Sequence, residues 1–218
     1  GNIVIIGATG AGTGGAVYIL RTSDGGATYV EVAKLTASDA AASDSFGTSV
    51  AIDGDTVVIG APYDYGDVTV GENAGAAYVF RTSDGWDTHT EIKLTASDGE
   101  AEDYFGYSVA MSGDTVVVGA MRHDDPKWNS GSAFVFNTTD GGATYEQVAK
   151  LTDPDAGTHD SLGYSVAIAG AVVVVGSDNN AAYVFSPTVA TPTAALGSDS
   201  ATRAGGTFLA LLATVLAL

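Results

Sequence analysis

One segment of this chain is written three times. "FGTSVAIDGDTVVIGAP" at 46–62 returns as "FGYSVAMSGDTVVVGAM" at 105–121 and as "LGYSVAIAGAVVVVGSD" at 162–178. The glycine that is the second residue of each copy recurs at intervals of 59 residues (47 to 106) and 57 residues (106 to 163). Repetition at a period of tens of residues is typical of a fold built from like units that stack on one another.

Each unit contains four short segments rich in Val, Ile, Tyr and Phe, separated by Gly, Asp and Ser. This pattern predicts four β-strands per unit. Tight hairpins with Gly as the second turn residue are predicted at Asp53-Gly54, Ser112-Gly113 and Ala169-Gly170. In the second unit the predicted strands are 48–52, 56–60, 76–80 and 89–94.

The second strand of each unit decides the predicted architecture. "TVVIG", "TVVVG" and "AVVVVG" are apolar at nearly every position, so both faces of the strand are predicted to be covered. No stretch of the repeat has a helical period, so the cover is expected to be another sheet on each side. Stacked four-stranded antiparallel sheets predict an all-β fold, a β-propeller. The first unit lacks its first strand and the last unit is predicted to lack its fourth.

Phe-Gly at the start of a unit and Gly-Ala-Pro after its second strand resemble the FG-GAP repeat, which forms the seven-bladed head of integrin α chains and occurs in many secreted proteins. The resemblance covers about residues 2–185 and weakens towards the last unit. It implies that the chain is an incomplete, carboxyl-terminal part of a seven-bladed propeller. The motif positions are Phe46, Gly47, Gly60, Ala61, Pro62, Phe105, Gly106, Gly119, Ala120, Gly163 and Gly176.

The two ends of the chain differ from the repeats. No Met begins the sequence, so we expect residues upstream of the predicted propeller blades at 1–185. Residues 186–207 are rich in Ser, Thr, Pro and Ala and predict a flexible stalk. The apolar tail at 208–218 is too short to span a bilayer and fits a GPI-attachment signal, with Ser198 and Ser200 as attachment candidates. An apolar terminus that merely packs or frays is the alternative.

The negative net charge of the chain makes some classes of binding partner unfavourable. The chain has 8 Lys+Arg against 26 Asp+Glu, a formal net charge of -18. Phosphate backbones repel such a surface, so nucleic acid and anionic membrane surfaces are not expected as partners. There are no cysteines, so disulfides and thiolate chemistry are excluded.

Calcium is the cofactor that the family resemblance suggests, because FG-GAP blades often hold it in an Asp-rich loop between their first two strands. Here that loop has shrunk to a two-residue turn that cannot encircle an ion, so the site of the family is not carried over. Acidic residues of the longer loops could form a weaker calcium site, and capping of turns is the alternative reading. The candidates are Asp64, Asp67, Asp124 and Asp125, with Glu72, Asp178, Asp44, Asp103 and Asp160 as further donors.

The sequence matches known catalytic and cofactor-binding motifs only incompletely. Gly10, Gly12 and Gly15 match a dinucleotide-binding fingerprint, but "AVYIL" follows them and predicts a strand where that fingerprint needs a helix. "HDS" at 159–161 holds consecutive residues, which cannot form a relayed triad, and "GYSVA" lacks the last Gly of a nucleophile elbow. The three histidines lack metal-ligand spacing. The chain is therefore not expected to be an enzyme.

Function is expected in the loops that differ between units. Trp86 and Trp128 stand in variable segments and either anchor a partner or cover a blade edge. Asn137 begins an N-glycosylation sequon that is predicted to lie in a hairpin turn. The predicted function is a cell-surface, GPI-anchored binding or adhesion protein for an extracellular protein or glycan. The alternatives are an accessory propeller of a larger secreted enzyme and a purely structural repeat of the wall or matrix.

Overall fold

Four antiparallel sheets make up the chain. The computed structural model describes residues 2–65, 71–153 and 155–185, and the backbone of the strand 194–196. Fifteen strands are present in these residues: β1 Ile3–Ala8, β2 Ala16–Arg21, β3 Val30–Leu35, β4 Ser49–Asp53, β5 Thr56–Ala61, β6 Ala76–Arg81, β7 Thr90–Leu94, β8 Phe105–Ser112, β9 Thr115–Ala120, β10 Ser132–Asn137, β11 Glu146–Leu151, β12 Ser165–Ala169, β13 Val172–Gly176, β14 Ala182–Phe185 and β15 Ala194–Leu196.

The sheets follow the repeat. The first sheet has the order β1-β2-β3, the second β4-β5-β6-β7, the third β8-β9-β10-β11 and the fourth β12-β13-β14-β15. The prediction of four-stranded antiparallel sheets of the propeller type is confirmed, and in the described residues the first sheet has three strands. The prediction that the last unit lacks its fourth strand is wrong. Ala194–Leu196, inside the predicted stalk, pairs with β14 through Ala182↔Leu196.

Neighbouring sheets pack face to face through three apolar clusters. The first joins side chains of the first and second sheets, such as Ile19 and Ile59. The second joins the second and third sheets, as with Val79 and Val118, and the third joins the third and fourth. The Val-rich strands β5 and β9 are covered on both sides as predicted: in β9, Val116, Val117 and Val118 are fully buried. In β13 the prediction is wrong for one face, because Val173 and Val175 are buried but Val172 and Val174 are only half-buried.

In the second, third and fourth sheets the hairpin between the first two strands is as short as predicted, but glycine takes a different position in it. Asp53 pairs with Thr56, so Gly54 and Asp55 form the two-residue loop. Gly54 has φ 56°, and the glycines of the next two sheets have φ 55°. Gly is therefore the first loop residue and not the second, which is the arrangement of a type II′ turn.

Strand direction separates two faces of the stacked sheets. The short-turn face carries the tight hairpins, such as that between β4 and β5, and the loops that follow β2, β6 and β10 (22–29, 82–89 and 138–145). The long-loop face carries the loops after the second strand and the connections between sheets (9–15, 36–48, 62–65, 71–75, 95–104, 121–131, 152–153, 155–164 and 177–181). The described residues contain no helix with the length and hydropathy needed to cross a bilayer.

Candidate binding face at the long loops

Each pair of neighbouring sheets is fastened at the long-loop face by a short parallel contact, which we call the clasp. Isolated bridges join Gly15 to Phe46, Gly75 to Phe105 and Gly131 to Leu162. In the second clasp the Phe105 N–H donates to the Ala74 carbonyl at 3.0 Å. The connection between two sheets is thereby bound to the preceding sheet, and the clasp sets the position of the loops around it.

The clasp imposes an unusual backbone conformation on ordinary residues. Ser45, Tyr104 and Ser161, each directly before the Phe-Gly or Leu-Gly pair, have φ 57°, 56° and 56°. Left-handed φ is uncommon outside glycine and costs free energy, so it persists only where surrounding contacts fix it. Its recurrence at equivalent positions shows that the fold requires it there.

The residues of the predicted motif build this junction. The Phe46 ring packs edge-on against Tyr78 at 5.4 Å and Phe80 at 5.9 Å between centroids. Gly106 has φ 90°, and a Cβ there would stand 2.1 Å from the Ala76 carbonyl oxygen. A Cβ on Gly60 would stand 1.9 Å from the Gly106 carbonyl oxygen. The motif is therefore scaffold, because no side chain fits between the two backbones.

The other motif positions have the same role. Gly47 and Gly163 repeat the positive φ of Gly106. A Cβ on Gly119 would meet the Gly163 carbonyl oxygen at 2.1 Å, and one on Gly176 would meet Ser165. Ala61, Pro62, Phe105 and Ala120 are buried where the second strand of a sheet enters its long loop or where the first begins.

Four of the nine predicted calcium donors serve as turn caps. Oδ2 of Asp44 accepts the Ala41 N–H at 2.6 Å, and Asp103 and Asp160 accept the N–H groups of Glu100 and Gly157. Asp124 accepts the Asn129 N–H at 2.6 Å. These contacts satisfy backbone donors at loop starts, which is the capping alternative.

The remaining candidates do not converge on one point. Asp125 binds the Lys150 Nζ at 2.6 Å. Within the described ranges no three Asp, Glu or His side chains are grouped to hold a metal ion. Asp67 lies outside the described residues, so a calcium site that includes it stays a prediction.

A partly exposed ion pair crosses from the second sheet to the first. Lys93 Nζ on β7 lies 2.6 Å from Asp39 of the preceding unit and 3.0 Å from Asp64 of its own sheet. The Tyr78 hydroxyl lies 2.7 Å from Asp39 and 2.5 Å from Asp64. Burial alone would lower the pKa of Lys93, but the bonds to Asp39 and Asp64 outweigh it and raise that pKa. Lys93 therefore stays charged and fastens the sheets.

The third sheet repeats this arrangement. Lys150 lies 2.8 Å from Asp98 of the preceding unit and 2.6 Å from Asp125. His123 holds the loop position that Asp64 holds in the second sheet, since both backbone carbonyls accept the N–H of the glycine before the third strand. The His123 Nδ1 lies 2.7 Å from Asp103 and is buried, so this histidine is part of the junction.

The two tryptophans have different roles. Trp86 is 4 % exposed and belongs to the cluster between the first and second sheets, so for this residue the covering role is confirmed. It has φ 82° at a loop position where the first and third sheets have Gly26 and Gly142. Trp128 is 60 % exposed on the long-loop face, and its ring lies edge-on 4.5 Å from His159.

The structure places the glycine fingerprint in a loop between strands and the sequon at the end of a strand. Residues after Gly15 form β2, so Gly10, Gly12 and Gly15 lie in a β-hairpin loop and no helix follows them. Asn137 is the last residue of β10 and not a turn residue, which corrects its predicted position. Its Oδ1 accepts the Thr115 hydroxyl at 3.3 Å. Ser198, Ser200 and the tail at 208–218 lie outside the described residues.

A cleft opens at the long-loop face between the third and fourth sheets. Its volume is about 240 Å³, and its lining combines a cation, an acid, a phenol ring, a methionine and three further polar side chains. The lining residues are Met121, Arg122, Asn129, His159, Ser161, Tyr164 and Asp178. Sequence reasoning missed it, although a comparison of the repeats shows its signal: Ser161 stands where the preceding unit has Tyr104.

Comparison with known proteins agrees with this architecture. A sequence profile described as the FG-GAP repeat matches residues 29–80, 89–136 and 145–185. Among curated proteins, none matches the chain. Among solved structures, the computationally designed Ika8 protein is similar over 90% of this chain, with a TM-score of 0.56 and 17% identity. The chain spans 46% of the length of that protein, and the likeness shows the fold alone.

Proposed function

Because the chain belongs to the FG-GAP repeat family, we propose that it is a non-catalytic binding protein whose long-loop face contacts an extracellular protein or glycan. The observation that supports this is the distribution of exposed aromatic side chains. On the long-loop face Tyr63, Tyr65, Trp128 and Tyr164 are 39 to 60 % exposed, whereas Tyr29 has this exposure on the short-turn face. Exposed aromatic side chains are enriched in binding interfaces.

The repeated residues and the residues that vary between units lie in different parts of the fold, which supports the same proposal. The repeated residues, such as Phe46 and Phe105, are buried and hold the sheets together. The aromatic residues of the long loops change from unit to unit: Tyr63 of the second sheet corresponds to Arg122 of the third, since the N–H of each donates to the carbonyl of the equivalent Asp. A conserved scaffold with variable loops is the arrangement in which binding specificity is varied without loss of fold.

The binding proposal is tested with matched aromatic variants. The purified chain is applied to arrays of extracellular-matrix proteins and glycans, and affinities are measured for the ligands found. Tyr65→Ala and Trp128→Ala together are expected to weaken binding at least about tenfold. Tyr29→Ala, which removes a comparably exposed ring from the opposite face, serves as the control. Equal affinity of the double variant and the unaltered chain would refute the proposal.

Attachment to the cell surface is a second part of this proposal. It is supported by the apolar tail at 208–218, the small residues around Ser198 and Ser200, and the sequon at Asn137. Treatment of cells that express the full-length protein with a phosphatidylinositol-specific phospholipase is expected to release it into the medium. A protein that stays with the cells, or never reaches their surface, contradicts the anchor and leaves the binding proposal open to its own test.

A further inference from the structure

Two equivalent junctions differ in the side chain at their centre, and the cleft lies at the junction where that side chain is small. Tyr104 and Ser161 occupy the same place in successive clasps: the Tyr104 N–H donates to the Asn73 carbonyl at 3.1 Å, and the Ser161 N–H donates to the Asn129 carbonyl at 3.2 Å. Both residues have φ 56°. The backbone is therefore the same, and only the side chain changes.

Between the second and third sheets the Tyr104 ring fills its junction. Tyr104 is 8 % exposed, and its ring lies 5.2 Å from the Tyr63 ring. The Arg122 guanidinium lies 4.7 Å from the ring centroid, within the range of a cation–π contact. The hydroxyl donates to Glu102 at 2.7 Å and accepts from Arg122 at 3.3 Å. The clasp geometry thus provides a site for a phenol ring.

Between the third and fourth sheets the ring is replaced by a serine, and apart from Asn129, which corresponds to Asn73, the surrounding side chains differ as well. Arg122 takes the place of Tyr63, and Asp178 takes the place of Arg122, as their N–H bonds to Asp103 and Asp160 show. The partner of Asn129 is His159, at 3.4 Å, where the preceding junction pairs Asn73 with Glu102 at 2.9 Å. The short Ser161 side chain leaves the cleft of about 240 Å³.

From this we infer that the cleft lined by Arg122, His159 and Asp178 binds a phenol ring from outside the chain, the side chain of a tyrosine exposed on a partner protein. Arg122 offers a cation for the ring face, and the Asp178 carboxylate accepts the phenolic hydrogen. Tyr164 and Met121 supply apolar contact. Trp128, exposed beside His159, borders the entrance. This inference rests on the proposed binding function and names the chemistry of its ligand.

The chain offers a matched pair of variants for the test. Ser161→Tyr places the ring of the preceding junction into the cleft, and Tyr104 shows that the same φ accepts tyrosine. Tyr104→Ser opens the equivalent space between the second and third sheets. The probes are p-cresol and N-acetyl-tyrosinamide, and methyl α-glucopyranoside is the control ligand. Binding is followed by amide chemical-shift changes in the unaltered chain and in both variants.

The expected results are a single phenol site in the unaltered chain, at least about tenfold weaker binding in Ser161→Tyr, and a second site in Tyr104→Ser. Thermal unfolding checks that Ser161→Tyr is folded, with a Tm no lower than that of the unaltered chain. Phenol binding that is unchanged in Ser161→Tyr, absent phenol binding, or binding of the glucoside alone overturns the inference. Loss of array binding with retained phenol binding contradicts the proposed function instead, so the two failures are distinct.

Discussion

At the short-turn face each long turn is closed by its own side chains, whereas at the long-loop face the repeated contacts run between neighbouring sheets. In the turn at 82–88 the Asp84 carboxylate accepts the Thr88 N–H at 3.0 Å and the Thr88 hydroxyl at 2.6 Å. Asp24 and Asp140 make the same bonds in the first and third sheets. At the opposite face Phe105, Gly106 and Lys93 contact the preceding sheet or its loops.

The contacts at the short-turn face therefore stabilise single turns, whereas those at the long-loop face stabilise the packing of two sheets. A turn that satisfies its own polar groups forms with its hairpin, so a change in its polar residues is expected to affect one sheet; Trp86, which reaches the cluster between two sheets, is the exception. A clasp needs two sheets in register, so its disruption affects both apolar faces that meet there. The long-loop face thus holds backbone positions that are fixed in each clasp, such as Tyr104 and Ser161, beside side chains that differ between units, such as Tyr63 and Arg122. We expect mutations at the two faces to differ in size.

The largest expected difference is between two glycines of the same strand pair. Gly106→Ala places a Cβ 2.1 Å from the Ala76 carbonyl oxygen at φ 90°, and is expected to lower the free energy of unfolding by roughly 3–5 kcal/mol. Gly113→Ala has φ 55° with no atom within 4 Å of its Cβ, so it is expected to cost about 1–2 kcal/mol. Urea denaturation measures both, and equal losses would contradict the role of the clasp.

An intermediate effect is expected from the lysine that joins the first and second sheets. Lys93→Met leaves the carboxylates of Asp39 and Asp64 without their cation, and is expected to destabilise the fold by about 2–4 kcal/mol after allowance for partial exposure. The control is Lys34→Met at the equivalent position of the first sheet, where the side chain is exposed over the Tyr18 ring. That change is expected to stay within about 0.5 kcal/mol.

If the two lysine variants unfold at the same urea concentration, the ion pair adds nothing to the junction. The same measurement on Lys150→Met extends the comparison, because Lys150 joins the third sheet to the second in the same manner. We expect its loss to resemble that of Lys93→Met.

The smallest effect is expected from acid at the short-turn face. Hydrogen bonds from Thr88 and Thr82 lower the pKa of Asp84 from 3.8 to about 2. Because the pKa is lower in the folded chain, the turn stabilises the fold above about pH 4 and loses this contribution as the pH falls towards 2. Asp84→Asn is expected to reduce the drop in Tm between pH 5 and pH 2 by at most about 2–4 °C. An unchanged drop in Tm shows that the bonds of Asp84 do not stabilise the folded state.

Much of the fold was predictable because its signals are local. The Val-rich run at 115–118 and the tight hairpins are visible within a few neighbouring residues. The spacing of the units is visible because the same short segments recur along the chain. The strand Ala194–Leu196 was missed because a segment rich in Ala and Thr carries no strand period of its own and pairs only where β14 presents an open edge. The burial of Trp86 was left undecided, because its loop position alone does not reveal the apolar space between two sheets.

The candidate site was predictable only in its location. Variable loops were expected to hold function, but the acidic residues singled out for calcium are mostly occupied by turn N–H groups and by Lys93 and Lys150. The cleft depends on a residue that is absent from a junction rather than present in a motif. Aligning the repeats places Ser161 where the preceding unit has Tyr104, but only the packed sheets bring Arg122 and Asp178 beside it.

The sequence by itself determined the repeat, the strands, the face-to-face stacking of sheets and the places of the tight turns, because side-chain periodicity and turn residues act over a few residues and recur from unit to unit. The tertiary structure decided which charges meet, as Lys93 meets Asp39 of the preceding unit, and where a ring-sized cleft remains. Those outcomes join residues far apart in the chain, and distances between such residues are fixed only when the sheets pack.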